Sequence, residues 1–205
     1  MLANNEYFHN QLLEGLNTLN SFTNSKNVNH ILIKNLSLSE FTVPLFNDEG
    51  AFLDGPLSSR YEYEKQVQSS LRGIKNPCLY VFELINPDAT TVFNAYKAFI
   101  KNHAEKNLKS KRACSSINET FIKDENKPKI LYVGKSEKPI DGRIVVHFGY
   151  YEKAVAGLQL IHWGKSINLK INIHVFELLN NNIQTSLDAL EKVFFTQLKP
   201  IIGKK

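Results

Sequence analysis

Apolar and polar residues along the chain change their period several times, and each change marks an element. In EYFHNQLLEGLNTLNSF, residues 6–22, Phe8, Leu12, Leu16 and Leu19 recur at helical spacing with Leu13 beside them, which predicts an amphipathic helix. NHILIKNLSLSEFTVPLF alternates instead, and predicts one or two strands ending at Pro44. NDEGAFLDGPLSSR is rich in Gly, Asp, Pro and Ser and predicts a loop, with a short helix after it across YEKQVQSSLRG.

From residue 77 the punctuation is clearer. CLYVFEL is an apolar run bounded by Pro77 and Pro87 and predicts a strand. TTVFNAYKAFIKNHAEKN predicts a helix with Val92, Tyr96, Phe99 and Ile100 on one side, and LKSKRACSSINETFIKDENKPK predicts a charged surface loop. ILYV, residues 130–133, predicts a second strand that breaks at Gly134, with a helix starting near Asp141 as its N-cap. LKINIHVFELL predicts a third strand. SLDALEKVFFTQLKP predicts a last helix capped by Ser186 and stopped by Pro200. Strand, helix-bearing insert, strand, helix, strand, helix is the order of an α+β domain, a small sheet with helices on its faces.

Composition narrows this only a little. With 205 residues, 42% hydrophobic and 22% charged, the chain has material for one sizeable domain or a domain with an extension. Lys plus Arg exceed Asp plus Glu by 25 to 20, a mild basic bias compatible with nucleic acid and shared by many other proteins. Cys78 and Cys114 have no metal-site spacing and read as reduced thiols. No apolar run is long enough to span a membrane, and MLANNEYFHNQLLEGL lacks the basic-then-apolar order of a secretion signal, so a cytoplasmic protein without membrane contact is expected.

Polar residues in apolar settings are more informative. Leu187, Leu190, Phe194 and Leu198 form one stripe of the last helix, and Glu191 falls in its middle. A carboxylate on such an arc must be paired, protonated or bound to a cation. A partner arginine or a helix at the domain edge answers that as well as a metal does. Arg143 and His147 are one helical turn apart, in line with Tyr150 and Ala154, and each taken singly has an ordinary packing or surface role. Tyr80 and Tyr132 sit mid-strand, where aromatic residues are commonly structural, and Lys135 follows the glycine. Taken together, these side chains supply a carboxylate for a divalent cation, a guanidinium for phosphate, and phenol and imidazole groups for proton transfer.

In that order CLYVFEL, LYVGK, GRIVVHFG and LDALEKVFFTQLKP resemble the GIY-YIG nuclease superfamily, and its restriction-enzyme-like members in particular. Tyr80 matches the tyrosine of GIY, Tyr132-Val133-Gly134 matches YIG, Arg143 and His147 match the helix motif, and Glu191 matches the metal-binding glutamate. The chain departs from the pattern in three places. Cys78 stands where the first motif has glycine, and Pro200-Ile201-Ile202-Gly203 stands where the family has an asparagine after proline. About fifty residues separate the two tyrosine motifs where a short hairpin is usual, a length that calls for structure of its own, such as the helix predicted there.

The resemblance implies a small mixed or antiparallel three-stranded central sheet flanked by helices. It divides the chain into a nuclease-like domain over 77–205, with an insert at about 86–128, and an N-terminal α/β extension over 1–76 that is a candidate for DNA binding or dimerisation. It implies a divalent-metal-dependent endonuclease acting on DNA, site-selective or restriction-type, with RNA as the other candidate substrate. A homodimer is expected if both strands are cut. Glu191 would hold Mg²⁺ or Mn²⁺ and Arg143 would grip the phosphate. Tyr80 would be the general base and His147 its rival, since an imidazole of pKa about 6.5 needs less tuning than a phenol of about 10. Tyr132 and His147 would position water or share the proton, and Lys135 or the metal would lower the phenol. Lys109, Lys111 and Arg112 in the insert, with Lys106, and Lys199 near the end, with Lys204 and Lys205, would neutralise phosphates or simply solubilise the surface. The competing expectation is an inactive nuclease-like module that only binds nucleic acid or protein.

Overall fold

The computed structural model describes residues 28–44, 60–105, 115–118, 130–150, 157–179 and 187–203. The helix expected over 6–22, the loop at 47–59, the Ser186 cap and Ala154 lie outside them, as do Lys106, Lys109, Lys111, Arg112, Lys204 and Lys205.

Four strands are present: β1 (Val28–Ser37), β2 (Cys78–Asn86), β3 (Ile130–Ser136) and β4 (Lys170–Leu178). They form one open antiparallel sheet in the order β1-β4-β2-β3. The expected α+β class holds, but the sheet has four strands rather than three. The fourth is β1, from the N-terminal extension, which pairs along the outer side of β4. Its alternation was readable, yet a period says which face a residue takes and nothing about which distant strand it joins. β2 lies between two partners and is apolar almost throughout, as an inner strand covered on both faces should be. β4, also inner, alternates buried and half-buried positions.

Helices cover both faces. Residues 61–71 form α1, wound as π-helix over Glu64–Gln68, which buries Tyr63, Val67 and Leu71. α2 (Ala89–Glu105) lies in the insert and starts at Asp88, whose carboxylate accepts the N–H groups of Thr90 (2.9 Å) and Thr91 (3.0 Å) in the manner of an N-cap. α3 (Ile140–Phe148) and the short α4 (Leu160–Trp163) complete one side, where Val92, Tyr96, Ile144, Phe148 and Trp163 pack with Phe82, Ile171 and Ile173 of the sheet. α5 (Leu187–Leu198) covers the other: Leu187 and Leu190 lie against Leu79 and Leu178, and Phe194 and Leu198 against Val81, Ile130 and Val133.

Three local expectations change. β3 does not break at Gly134; it runs through it to Ser136, with Gly134 opposite Tyr80. α3 begins at Ile140 after Pro139, so Asp141 is inside the first turn rather than its N-cap, and its carboxylate accepts the Gly142 N–H at 2.8 Å. α3 also stops at Phe148, where Gly149 takes φ 98°, so Tyr150 leaves the Arg143–His147 line and donates its hydroxyl to the Thr42 carbonyl at 2.9 Å.

Beyond α5 the chain turns at Lys199 and lays Pro200–Gly203 along the outer edge of β3. The N–H groups of Ile201 and Ile202 bond the Ile130 and Leu131 carbonyls, each at 2.9 Å. Ser116 and Asn118 of the insert cover the far side of this segment: Asn118 Nδ2 donates to the Pro200 carbonyl at 3.0 Å and Ser116 Oγ to that of Gly203 at 2.9 Å. The position where the family carries asparagine is here a strip of backbone that closes a sheet edge.

Candidate active site

The site is assembled on the β2–β3 pair. Tyr80 on β2 and Tyr132 on β3 are diagonal neighbours on one face, with ring centroids 6.1 Å apart. Between them lies Gly134. A Cβ there would stand 2.5 Å from Tyr80 Cζ and 2.6 Å from Tyr132 Cε1, closer than any side-chain carbon can approach. The glycine thus serves the two phenols, which lie across its backbone.

α3 delivers the next two groups. His147 is fully buried, ringed by Tyr80, Phe82 and Tyr132 at centroid distances of 5.5, 5.6 and 4.7 Å. Its Nε2 lies 2.8 Å from the Tyr80 hydroxyl, and Nδ1 has no hydrogen-bond partner among the described residues. One turn earlier stands the half-buried Arg143, whose charge acts on the phenols of both Tyr80 and Tyr132. Tyr132, Tyr80 and His147 therefore form a row of neighbouring rings, hydrogen-bonded between Tyr80 and His147, within the field of the Arg143 guanidinium.

Electrostatics keep this row neutral at rest. Burial pushes the Tyr80 phenol well above its ordinary value, with Tyr132 adding to the rise and Arg143 only partly offsetting it. Burial raises Tyr132 as well. His147 is driven well below the ordinary imidazole value, first by burial and then by Arg143, so it stands as an uncharged acceptor or donor. Tyr80 is thus not a ready phenolate. Tyr132 and Arg143 keep some exposed surface, while Tyr80 and His147 lie behind them with none.

Glu191, on α5, is half-buried as its position on the stripe demands, and its charge acts on Tyr80, Tyr132 and Arg143. Among the described residues no arginine forms an ion pair with it. Burial pushes its carboxyl above the usual range; Lys135 and Arg143 draw it back and Asp188 opposes them. Lys135 is not the cation that the phenols feel. Its ammonium pairs with Asp188 and, at 3.1 Å, with Glu137.

Beside this group a cleft of about 650 Å³ opens between the end of β3 and the start of α3, with Lys135, Lys138, Gly142 and Arg143 in its wall. Glu137 shares this wall and, with Asp188, pairs Lys135, so Lys138 and Arg143 are the cations of the cleft that could meet a phosphate backbone. Lys138 was not singled out by any sequence pattern; only the β3–α3 connection brings it next to Arg143. Lys199 is different. It ends α5 at φ 51° with its N–H on the Phe195 carbonyl at 2.9 Å, exposed, and among the described residues nothing links it to the tyrosine–arginine group.

The chain matches no family model, no curated protein and no solved structure. The resemblance therefore rests on the motif residues alone.

Among the described residues no three His, Cys, Asp or Glu side chains are grouped to hold a metal ion. Glu191 offers one half-buried carboxylate within the electrostatic reach of Lys135 and Arg143. That donor set fits a hard cation held mainly by water and phosphate oxygens, as Mg²⁺ usually is, and does not fit a metal caged by protein. Among the described residues no helix is long and apolar enough to cross a membrane.

Proposed function

We propose that this chain is a divalent-metal-dependent endonuclease that hydrolyses DNA phosphodiester bonds, site-selective or restriction-type, with a GIY-YIG-like active site. The observation that carries the reading is the clustering of Tyr132, Tyr80 and His147 in the field of Arg143, with the Tyr80 hydroxyl 2.8 Å from His147 Nε2. A packing core has little use for two phenols, an imidazole and a guanidinium converging beside a cleft; phosphodiester hydrolysis uses each.

Arg143 binds the non-bridging oxygens and holds them as charge builds at phosphorus, a task for which its planar fork is suited. Mg²⁺ or Mn²⁺ bound at Glu191 would supply Lewis-acid stabilisation of the leaving oxygen. The burial of Tyr80 recasts its role: it passes a proton rather than waiting as a base. The attacking water meets Tyr132 at the open end of the row, Tyr80 relays the proton inward, and neutral His147 takes it at Nε2. A group whose pKa is held low by burial is a weak acceptor at rest, and negative charge arriving on the phosphate beside Arg143 raises it when it is needed.

Plasmid DNA incubated with purified protein and Mg²⁺ is expected to be cut, and Glu191→Gln and Arg143→Ala to abolish cutting. Intact plasmid under these conditions, with Mn²⁺ giving the same result, sinks the reading and leaves the inactive binding module. The same assay with RNA decides the substrate.

A further inference from the structure

Lys135 meets α5 through its ammonium, which, on a flexible four-carbon stem, pairs with Asp188 and with Glu137 and whose charge also acts on Glu191. Asp188 stands three residues before Glu191, so the two carboxylates neighbour one another on the helix surface. A lysine this close to Glu191 is the group best placed to neutralise it, and it is engaged elsewhere. We propose that Asp188 is a positioning residue that keeps Glu191 open to a divalent cation by holding the Lys135 ammonium off it. The proposal rests on the nuclease reading, since it assigns Glu191 to a cation.

Neither packing nor stability accounts for the Lys135–Asp188 pair. The Asp188 side chain is 70% exposed, so it fills no space in the core. Exposed ion pairs contribute little to folding, too little to explain a pairing placed one turn from the metal ligand. The effect on the cation is larger in principle. An ammonium seated on Glu191 must be displaced before a cation binds, and the apparent affinity falls by the fraction of time the carboxylate is free. Glu137 is the remaining competitor for the lysine, with a side chain 54% exposed.

The test is Mn²⁺ binding at fixed ionic strength, read as free ion by electron paramagnetic resonance, without any cleavage assay. Wild type is expected to bind one ion that Glu191→Gln removes. Asp188→Asn should weaken binding about tenfold, the factor expected if Lys135 then occupies Glu191 nine-tenths of the time. Glu137→Gln with Asp188→Asn should weaken it further, because Glu191 becomes the carboxylate left to the lysine. In a Lys135→Ala background Asp188→Asn should shift affinity by less than about twofold. Through-space charge alone predicts the same factor in both backgrounds, so equal factors overturn the proposal, as does an unchanged affinity in Asp188→Asn. Loss of binding in Glu191→Gln with no effect of Asp188→Asn overturns it while leaving the nuclease reading intact. Binding that survives Glu191→Gln, or none in wild type, removes both.

Discussion

The Tyr80 hydroxyl has one partner that cannot be replaced by water, because His147 and Tyr80 are both without exposed surface. Tyr80→Phe therefore does two things. It breaks the row between Tyr132 and His147, and it strands Nε2 in the interior, which typically costs about 1–3 kcal/mol. Cleavage is expected to fall by about 10²–10⁴-fold, the usual contribution of a positioned acid–base group, with a lower melting temperature in the same variant. Retention of full cutting by Tyr80→Phe would show that the proton leaves by another way. His147 also sets a pH dependence. Its folded pKa lies below the unfolded value of about 6.5, so the unfolded chain binds more protons in the window just below that value. The stability due to this residue is complete above about pH 6.5 and is lost as pH falls through that window toward the folded value. In urea denaturation between about pH 8 and 5, His147→Phe should lose less stability on acidification than wild type does; parallel curves would contradict the assignment.

At the scale of elements, the site is a property of how β2 and β3 are paired. Their antiparallel register puts Gly134 opposite Tyr80, and the missing Cβ lets both rings lie flat across β3. Gly134→Ala is expected to abolish cutting by pushing the two hydroxyls apart, although the strand backbone itself accepts alanine. Crystallography or ring-proton NMR of the variant should show the rings displaced; undisturbed rings with full activity would refute that reading of the glycine. The same pairing accounts for what sequence could and could not reveal here. Tyr80, Tyr132, Arg143, His147 and Glu191 were visible as polar groups in apolar settings, because burying such groups is costly enough to be conspicuous. Gly134 was visible only as a break, since a glycine in a strand run signals either a turn or a close approach, and periodicity does not separate them. Asp188 and Lys138 carried no signal, because an exposed charge is ordinary until the fold sets it beside another.

For the whole molecule the main consequence is that the extension and the nuclease-like part share a sheet. β1 pairs with β4, and Ile33, Leu36, Leu38 and Phe41 lie in the same core cluster as Phe82 and Phe148, with the Phe41 and Phe148 rings 5.2 Å apart edge-to-face. A fragment of residues 77–205 is therefore expected to expose the β4 edge and to aggregate or stay unfolded, as judged by circular dichroism and size-exclusion chromatography. A monomeric, cooperatively folding fragment would show that the extension is a separable domain. Within the full chain, Phe41→Ala should destabilise by about 3–5 kcal/mol, the usual cost of emptying a buried phenylalanine site.

By itself the sequence determined the element types and their order, the α+β class and the identity of the chemically costly side chains. Those follow from local periodicity and from the free-energy cost of burying polar groups, and both are written along the chain. Tertiary structure decided the rest: β1 as a fourth strand, Gly134 as a floor for two phenols, Tyr80 as an interior link rather than an exposed base, and Lys135 turned toward Asp188 and Glu137. Each depends on which distant residues meet, and on how much water is left between them, and neither quantity has a period in sequence.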